Sequence, residues 1–514
     1  MNTMQSLIER DYFTDYDILK DPYAFFNEIR EQGPIFQPPG RDYYIVTGFE
    51  EALEVLRNHD NFSAIIGLAG AGAPLPFAPH GSDITAQIEA HRKDFAGGDQ
   101  VVNLDDEAHT KLRALINTLF VPSRLKASED FIAEYSDNMV RHAVAQGGID
   151  LIEKIATPFV TVVVADLLGV PVEDRQIFMD AIANGPIPGA LDGTDPMAGG
   201  ETHPFAIMGS YFAGYIADRR ANPQDDILTE LAHAKYNDGT LPELYDIVQL
   251  GMFMFGAGQD TSAKLLGNAM KFLIQKPELQ DELRADPKRI PALLEEVLRL
   301  EGSTKQTARL ARKDTKIGDV EIKAGTKILV ALSAANRDPS RWENPNELVL
   351  GRKKIIEHVG FGRGKHVCAG APLARVEVRV IMEKLLAHTS KIELDLEKHP
   401  NGIADLQYEP SFIIRGLAKM HVKFTPAEGF VAPDAPLKVT SAVKSLSTNS
   451  RIGDLLDNDA AKAVLEKHFP GMAANPQLAM AKGMSLRAVQ GFAPDMFTDE
   501  ALDAVDADLA RPAS

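Results

Sequence analysis

The chain has 514 residues, of which 45% are hydrophobic and 25% charged, a globular composition that excludes a disordered or fibrous protein. Its formal charge of −19 repels phosphate backbones and argues against nucleic acid as a partner. A single cysteine excludes an internal disulfide, and no signal peptide or membrane-length apolar stretch of ~20 residues is found, so we expect a cytoplasmic protein that does not contact membranes.

In chain order, the first hundred residues mix short elements. Helical spacing covers residues 22–32, the segment YYIVTG favours a strand, and EEALEVLRNH favours a helix. From Phe62 to Gln100 the sequence is rich in Gly, Ala and Pro without a steady period, which predicts a long loop. Helical periodicity then dominates from His109 to about Arg299, apart from a Gly- and Pro-rich cluster near residue 190.

The segment from Tyr245 to Gln275 is the longest and most apolar of these predicted helices, and it should run through the core. Within it, the run FGAGQDTSA interrupts the apolar pattern with glycines, an acid and an alcohol. A helix kink in which Thr261 bonds to a backbone carbonyl is the ordinary explanation of such a hydroxyl. A buried Asp260 is harder to explain in this way, because an unpaired buried charge is costly.

The only cysteine, Cys368, lies in a glycine-rich loop before a predicted helix. The spacing F-G-x-G-x-H-x-C-x-G would arise by chance on the order of once in a million such chains. Glycines let a backbone approach a large flat ligand, and Pro372 suits the first turn of the following helix. The free N–H groups and dipole of that helix would stabilise a thiolate. The motif residues are Phe361, Gly362, Gly364, His366, Cys368 and Gly370.

Several functions are compatible with a cysteine in such a loop. A zinc site would need further ligands, and no second cysteine supports one. A nucleophilic Cys368 with His366 as its base is a second interpretation, and a buried structural cysteine is a third. Axial ligation of haem iron is the interpretation that also accounts for the glycines and for His366.

The loop resembles the haem-binding signature of the cytochrome P450 family, and the resemblance extends from about Asp21 to Phe424. It implies that Cys368 is the metal ligand of haem b (iron protoporphyrin IX), that Phe361 packs beside the sulfur and that His366 reaches a haem propionate. Gly362 and Gly370 complete the cofactor-binding loop in this resemblance.

Further stretches resemble the family in the expected order. His109 and Arg113, in DDEAHTKLRALINTLF, and Arg309, in TARLARKD, match residues that hold the propionates. The pair of His109 and Arg113 alone is typical of a solvated helix face. The residues that match the structural E-x-x-R motif and the meander after it are Glu296, Arg299 and Arg337.

The family pattern A/G-G-x-D/E-T is met by Ala257, Gly258, Asp260 and Thr261. The resemblance implies an oxygen-activation groove beside the haem, with Asp260 and Thr261 as the catalytic residues that assist proton delivery. Because both are present, we expect a dioxygen-dependent monooxygenase rather than a peroxide-driven member. A haem-binding or sensing protein without turnover, and a haem-free cysteine hydrolase, remain the alternatives.

Electrons should come from separate proteins, because the single cysteine cannot build an iron–sulfur cluster. We expect an acidic ferredoxin with its NAD(P)H-dependent reductase, steered to a local basic patch. A solvated basic face is the ordinary alternative. The predicted patch residues are Arg352, Lys353, Lys354, Arg363 and Lys365.

The resemblance also predicts a small apolar substrate, such as a terpenoid, aromatic, steroid or fatty acid. Lys305 would pair with a substrate carboxylate if it faced inward, although lysines mostly face water. Core packing explains any of the apolar positions equally well. The predicted lining comprises the loop 62–100, the segment 303–306, and Phe253, Gly256, Ala257, Lys305 and Phe412.

We therefore predict a mainly α-helical protein with small β-sheets and the cytochrome P450 fold. Residues 1–424 should form the haem-thiolate domain and residues 425–449 a Pro- and Ser-rich linker. Residues 450–514 should form a small helical extension that serves in docking or oligomerisation.

Overall fold

The computed structural model describes most of the chain, and helices dominate it, which confirms the predicted fold class. The Gly- and Pro-rich cluster near residue 190 and residues 435–445 of the predicted linker lie outside the described residues. The described residues are 6–183, 204–224, 226–236, 239–434, 446–448, 450, 452–472, 481, 484–490, 493 and 496–509.

The helices of the first third follow the expected apolar periodicity. In Phe49–Arg57, for example, Phe49, Ala52, Val55 and Leu56 share one buried face. These helices are α1 Tyr16–Lys20, α2 Tyr23–Arg30, α3 Phe49–Arg57, α4 Thr85–Ala90, α5 Asp106–Leu119, α6 Pro122–Ala145 and α7 Thr157–Leu168, the last preceded by a π-helical turn at Ile152–Ala156.

The long apolar segment forms one continuous helix of 32 residues, Leu244–Gln275, as the periodicity predicts. The helix after the thiol loop begins at Ala371, with Pro372 in its first turn. The remaining helices are α8 Arg175–Ala183, α9 Pro204–Ala221, α10 Ile227–His233, α11 Leu244–Gln275, α12 Pro277–Ala285, α13 Ile290–Glu301, α14 Leu332–Ala335, α15 Ala371–His388, α16 Ile452–Asp457, α17 Asp459–His468, Leu486–Gln490 and Asp499–Leu509.

The described strands form three small sheets. The largest contains β1 Ile35–Phe36, β2 Tyr43–Val46, β3 Phe62–Ser63, β5 Thr307–Ala311 and β8 Lys327–Val330, in the order β1-β2-β8-β5-β3. Only β2 and β8 pair in parallel, with Tyr43 opposite Lys327. A second sheet has the order β4-β10-β9, and β6 and β7 form a hairpin; the strands are β4 Gly148–Asp150, β6 Thr315–Ile317, β7 Val320–Ile322, β9 Thr389–Leu394 and β10 His421–Pro426.

The chain divides into two compact units. The first lies within Met1–Val163 and Ala257–Leu437, and it contains the thiol loop. The second lies within Val164–Pro186, Asp195–Gly256 and Lys438–Ser514. In this second unit the C-terminal helices have a hydrophobic core of their own, centred on side chains such as Leu455, Leu465, Phe497 and Leu502. Among the described residues, none of the helices has both the length and the apolar character needed to cross a membrane.

A buried ion cluster supports the segment that leads into the thiol loop. Glu296 and Arg299 on α13 are both 0% exposed, and the Arg299 Nε donates to Glu296 at 2.7 Å. Arg299 also donates to the carbonyls of Asn336 at 3.0 Å and Pro345 at 2.6 Å. The E-x-x-R pair is therefore an interior anchor for residues 336–347 rather than a surface pair.

A second arginine completes this cluster, and it comes from further along the chain than the meander residue Arg337. Arg352, not Arg337, reaches Glu296, with its Nε 2.8 Å from the carboxylate and its side chain only 8% exposed. Arg337 instead donates to the carbonyl of Leu300 at 2.8 Å and to Glu301 at 3.1 Å. Sequence distance does not reveal which arginine reaches the buried acid, because the path of the meander decides it.

Candidate haem-thiolate site

The thiol loop is tightly folded, and two of its glycines adopt left-handed backbone conformations. Gly362 has a φ of +70° and Gly364 a φ of +75°, which residues with a Cβ adopt at a cost. A Cβ on Gly364 would also lie 2.3 Å from the carbonyl oxygen of Leu56. The turn brings the Cys368 N–H to the Phe361 carbonyl at 2.9 Å.

Cys368 faces a recess in the protein. Its side chain is accessible to solvent, yet the protein atoms around it raise the pKa of its thiol by burial. Both observations hold for a group that opens into a concave space with protein around it. The N–H groups of Gly370 and Ala371 and the guanidinium of Arg113 oppose this increase in the pKa, and the same groups would stabilise the thiolate once a cation binds the sulfur.

Beside the thiol lies a group of basic side chains that we call the cationic cluster: His59, His109, Arg113, Arg309 and His366. The rings of His109 and His366 have centroids 4.1 Å apart, and those of His59 and His366 are 5.7 Å apart. Burial, followed by nearby cations, lowers the pKa of both His59 and His109 to about 4 and that of His366 further.

The two arginines of the cationic cluster come from different elements of the fold. Arg113 on α5 donates to the carbonyl of Val367, the residue before the cysteine. Arg309 on β5 is buried, and its Nε has no hydrogen-bond partner among the described residues. Burial lowers the pKa of Arg309 to about 10, although the charge of Asp105 opposes this. An unpaired donor on a buried guanidinium is unfavourable, and a carboxylate of a bound ligand would satisfy it.

These features fit haem b. Glycine backbone borders the thiol, the thiol offers an iron ligand, and the cationic cluster offers donors for two carboxylates. A haem is a flat apolar ring with a central iron and two propionates, and thiolate ligation is one of its known modes. The residues that the sequence singles out as cofactor-binding all belong to one unit of the fold.

His59 belongs to this cluster but is not evident from the sequence. It follows α3, and its Nε2 accepts the N–H of Lys365 at 2.9 Å. A lone histidine after an amphipathic helix carries no motif. Only the closure of the chain shows that it supports the loop around Cys368.

On α11, the predicted oxygen-activation residues occupy adjacent positions. Thr261 Oγ1 donates to the Ala257 carbonyl at 2.9 Å, and Ser303 Oγ donates to the Thr261 carbonyl at 2.6 Å. Ala257 is exposed although it lies within a long apolar helix, and Asp260 is partly buried. The hydroxyl therefore makes the ordinary helical bond, and the acid beside it keeps a raised pKa because of burial.

A second acid lies near this segment and escaped sequence reasoning. Glu377 on α15 is buried, and burial raises its pKa to about 8 despite a hydrogen bond with Ser262. Ser262 follows Thr261 directly. The sequence of α15 does not show that Glu377 is buried, because buried and surface glutamates occur at the same helical spacing.

The structure places the predicted substrate-lining residues in different surroundings. Phe253 and Gly256 are partly exposed on α11. Phe412 is nearly buried, and its ring centroid is 5.5 Å from that of Phe13. A Cβ on Gly70 would lie 2.8 Å from the Phe412 ring. These contacts leave the role of Phe412 in substrate binding a prediction.

The prediction for Lys305 needs correction. Its side chain is 0% exposed, and its ammonium donates to the carbonyls of Leu19 and Ser411. Burial also lowers its pKa strongly. Lys305 therefore joins two chain segments inside the protein, and its ammonium is directed at backbone oxygens rather than at a substrate or at water.

The basic patch also differs in one member. Lys353, Lys354 and Lys365 are exposed and Arg363 is partly exposed, but Arg352 is committed to Glu296. Ile356 lies among these residues and is 69% exposed. The exposed part of the patch thus combines four cations with an apolar side chain; we call it the basic patch below.

Comparison with known proteins agrees with this geometry. The family model "Cytochrome P450" matches residues 208–401. Cytochrome P450 144 of Mycobacterium tuberculosis is 30% identical over 389 residues, which cover 74% of this chain and 86% of the relative.

Solved structures show the same relationship. Mycobacterium marinum cytochrome P450 CYP150A6, in the substrate-free form, is 41% identical with a TM-score of 0.75, and the match covers 82% of this chain and all of that one. CYP109E1 of Bacillus megaterium in complex with corticosterone is 25% identical with a TM-score of 0.66, over 79% of this chain and 99% of that one. On its fold, its thiol loop and these relatives, the chain belongs to the cytochrome P450 family, whose members are haem b monooxygenases.

Proposed function

We propose that this cytochrome P450 activates dioxygen with electrons from a separate acidic ferredoxin and hydroxylates a small apolar substrate. The observation that carries the proposal is the thiol of Cys368 in a recess beside a cationic cluster with an unpaired buried donor. That combination suits the binding of a ligand that has a metal centre and two carboxylates. A nucleophilic or a structural role for Cys368 would leave the cationic cluster unexplained.

In this proposal, Cys368 binds the iron, while His109, Arg113, Arg309 and His366 hold the propionates. Haem supplies the oxygen chemistry when bound. The protein residues orient it and exclude water. Gly362 and Gly364 keep the loop backbone compact around the sulfur.

On α11, Asp260 and Thr261 would handle protons. Burial raises the pKa of Asp260, so its carboxyl takes up a proton more readily than an exposed aspartate and would serve as a proton carrier. Thr261 Oγ1 donates to the Ala257 carbonyl in this structure, and on releasing that bond its hydroxyl would act with Asp260 in proton delivery. Their presence favours turnover over the alternative of a non-catalytic haem-binding or sensing protein.

The basic patch supports the proposed redox partner. Lys353, Lys354, Arg363 and Lys365 flank the exposed Ile356 in the sequence, and Arg363 donates to the Ile356 carbonyl at 2.7 Å. An apolar centre with a charged rim is typical of a transient protein interface, and complementary charge speeds the encounter. An acidic ferredoxin has the complementary charge.

The substrate is the least determined part of the proposal. The Bacillus megaterium relative was solved with corticosterone, and steroids are among the substrates that the sequence suggests. We propose an apolar substrate of the terpenoid, aromatic, steroid or fatty-acid class and a cytoplasmic location. A screen for compounds that shift the ferric spin state would identify the class.

One spectrum tests the central claim. The reduced carbonmonoxy form should show the far-shifted Soret band of thiolate ligation, and Cys368→Ser should abolish it together with NADH-driven product formation. Ala369→Ser is a matched control in the same loop. Retention of the same band and the same haem affinity in Cys368→Ser would overturn the assignment.

A further inference from the structure

A polar stripe runs along α11 from the predicted oxygen-activation residues. Its members are four, four and three residues apart and so share one helix face. This face lies against residues 408–417, which we call the C-terminal hairpin because Tyr408 and Leu417 form an antiparallel bridge. The stripe consists of Asp260, Lys264, Asn268 and Lys271.

Lys264 lies between two carboxylates. Its Nζ is 3.7 Å from Asp260 Oδ1, one helical turn away, and it donates to Glu409 Oε1 on the hairpin. The Lys264 side chain is 7% exposed and that of Glu409 15%. A single, largely buried ammonium is therefore shared by an acid of the predicted catalytic pair and an acid from a distant part of the sequence.

The hairpin also holds the stem of the lysine. A Cβ added to Gly416 would lie 1.9 Å from Lys264 Cδ and 2.5 Å from its Cγ, so the aliphatic stem rests on glycine backbone. The N–H of Glu409 donates to the Gly416 carbonyl at 3.0 Å, which couples the two hairpin contacts. Lys264 has little freedom to move away from both acids.

The cluster of Asp260, Lys264 and Glu409 carries two acids and one base. Burial raises the pKa of both carboxyls, and the ammonium of Lys264 opposes this at each. Asp260 Oδ2 is buried without a hydrogen-bond partner among the described residues. Lys264 acts directly on Asp260, and Glu409 competes for the same ammonium, so their arrangement controls whether Asp260 holds a proton.

We infer that Lys264, held by Glu409 and Gly416, is a positioning residue that sets the proton occupancy of Asp260. This inference rests on the proposed role of Asp260 in proton delivery. When Lys264 is drawn to Glu409, Asp260 is left with a weaker partner and holds a proton more readily. When Lys264 is drawn to Asp260, the carboxylate is stabilised and takes up a proton less readily.

Two substitutions should move Asp260 in opposite directions. Glu409→Gln removes the competing carboxylate, so Asp260 should protonate about one pH unit lower than in the wild type. Lys264→Met removes the ammonium, so Asp260 should protonate about one pH unit higher. Infrared spectroscopy of the full-length protein without added substrate measures this through the carbonyl stretch of the protonated acid, assigned by its loss in Asp260→Asn.

Turnover supplies a second readout. With a surrogate ferredoxin and reductase and no added substrate, NADH consumption by the haem-loaded Lys264→Met variant should fall about tenfold and show a larger solvent isotope effect, because Asp260 without its ammonium partner is a weaker acid and releases its proton more slowly. Lys264→Arg keeps the charge and should recover most of the rate. Lys271→Met is the matched control, because Lys271 contacts the same hairpin at Tyr408, 2.8 Å away, without reaching Asp260.

The outcomes separate this inference from the function on which it rests. Infrared titrations of Glu409→Gln and Lys264→Met that match the wild type would overturn the inference, while the thiolate Soret band would leave the haem assignment standing. Unchanged NADH consumption in Asp260→Asn would overturn the role of Asp260 and the inference with it. Glu409→Gln retains Lys264 and keeps the test valid if Lys264→Met fails to fold.

Discussion

Two groups of buried charges in the same unit are built in opposite ways. Around Glu296, the carboxylate receives two arginines, and Arg299 fills its remaining donors with backbone carbonyls. In the cationic cluster, basic groups face one another and Arg309 Nε has no partner among the described residues. A buried charge is costly unless it is paired. A completed cluster therefore stabilises the fold, and an incomplete one indicates where an anionic ligand belongs.

The largest expected effect lies in the completed cluster. Arg299→Met should lower the free energy of unfolding by about 3–5 kcal/mol, because it leaves Glu296 buried with half its partners. Urea unfolding followed by the fluorescence of Trp342, the only tryptophan, measures this. Arg379→Met, which breaks partly exposed ion pairs with Glu129 and Glu383, is the control and should cost about 1 kcal/mol or less. Equal losses in both variants would contradict the comparison.

In the cationic cluster, removing an arginine should leave the free energy of unfolding of the haem-free protein unchanged or raise it. Arg309→Leu removes a buried cation that lacks a full set of partners, so the haem-free protein should unfold at the same or a higher urea concentration. Haem binding should weaken by about 1.5–3 kcal/mol, the contribution of a hydrogen bond to a charged group. Haem transfer to apomyoglobin measures the second quantity. A destabilised haem-free protein with unchanged haem affinity would show that Arg309 is structural.

Acid should destabilise the haem-free protein in two separate pH windows. His59 and His109 have pKa values lowered from 6.5 to about 4; the unfolded chain takes up these protons first, so stability is lost as the pH falls from 6.5 toward 4. Glu301, beside Arg415 and Arg337, has a pKa lowered from 4.5 to about 2, so its contribution is present above pH 4.5 and lost below it.

Urea midpoints measured against pH distinguish the two windows. Glu301→Gln should remove the lower one and leave the upper one in place. Bound haem should shrink the upper window, because propionates favour protonated histidines. An upper window of the same size with and without haem would count against propionate binding at these histidines.

The smallest effect should be at the surface. Lys353→Glu with Lys354→Glu should slow reduction by an acidic ferredoxin about tenfold at low ionic strength, and high salt should remove the difference. The control is Lys398→Glu, which changes an exposed lysine outside the basic patch; this variant should be reduced at the wild-type rate. A salt-independent change in the double variant would point to a structural defect instead.

Local sequence patterns predicted the elements well where chemistry and periodicity coincide. The long helix α11 and the helix after Pro372 lie where the apolar spacing places them. The thiol loop could be predicted because its glycines, histidine and cysteine are close together in the sequence. Partners from distant segments could not be predicted, because no motif lies next to His59, Glu409 or Glu377. Lys305 and Arg352 make buried contacts that the residues next to them in the sequence do not specify.

The sequence alone determined that one cysteine lies in a compact loop before a helix and that an acid and an alcohol interrupt an apolar helix, because backbone conformation and helical spacing depend on nearby residues. Only the tertiary structure decided which buried charges find partners. That outcome depends on where distant segments bring their carboxylates and carbonyls: Arg352 meets Glu296 and Lys264 meets Glu409, whereas Arg309 retains an unpaired donor.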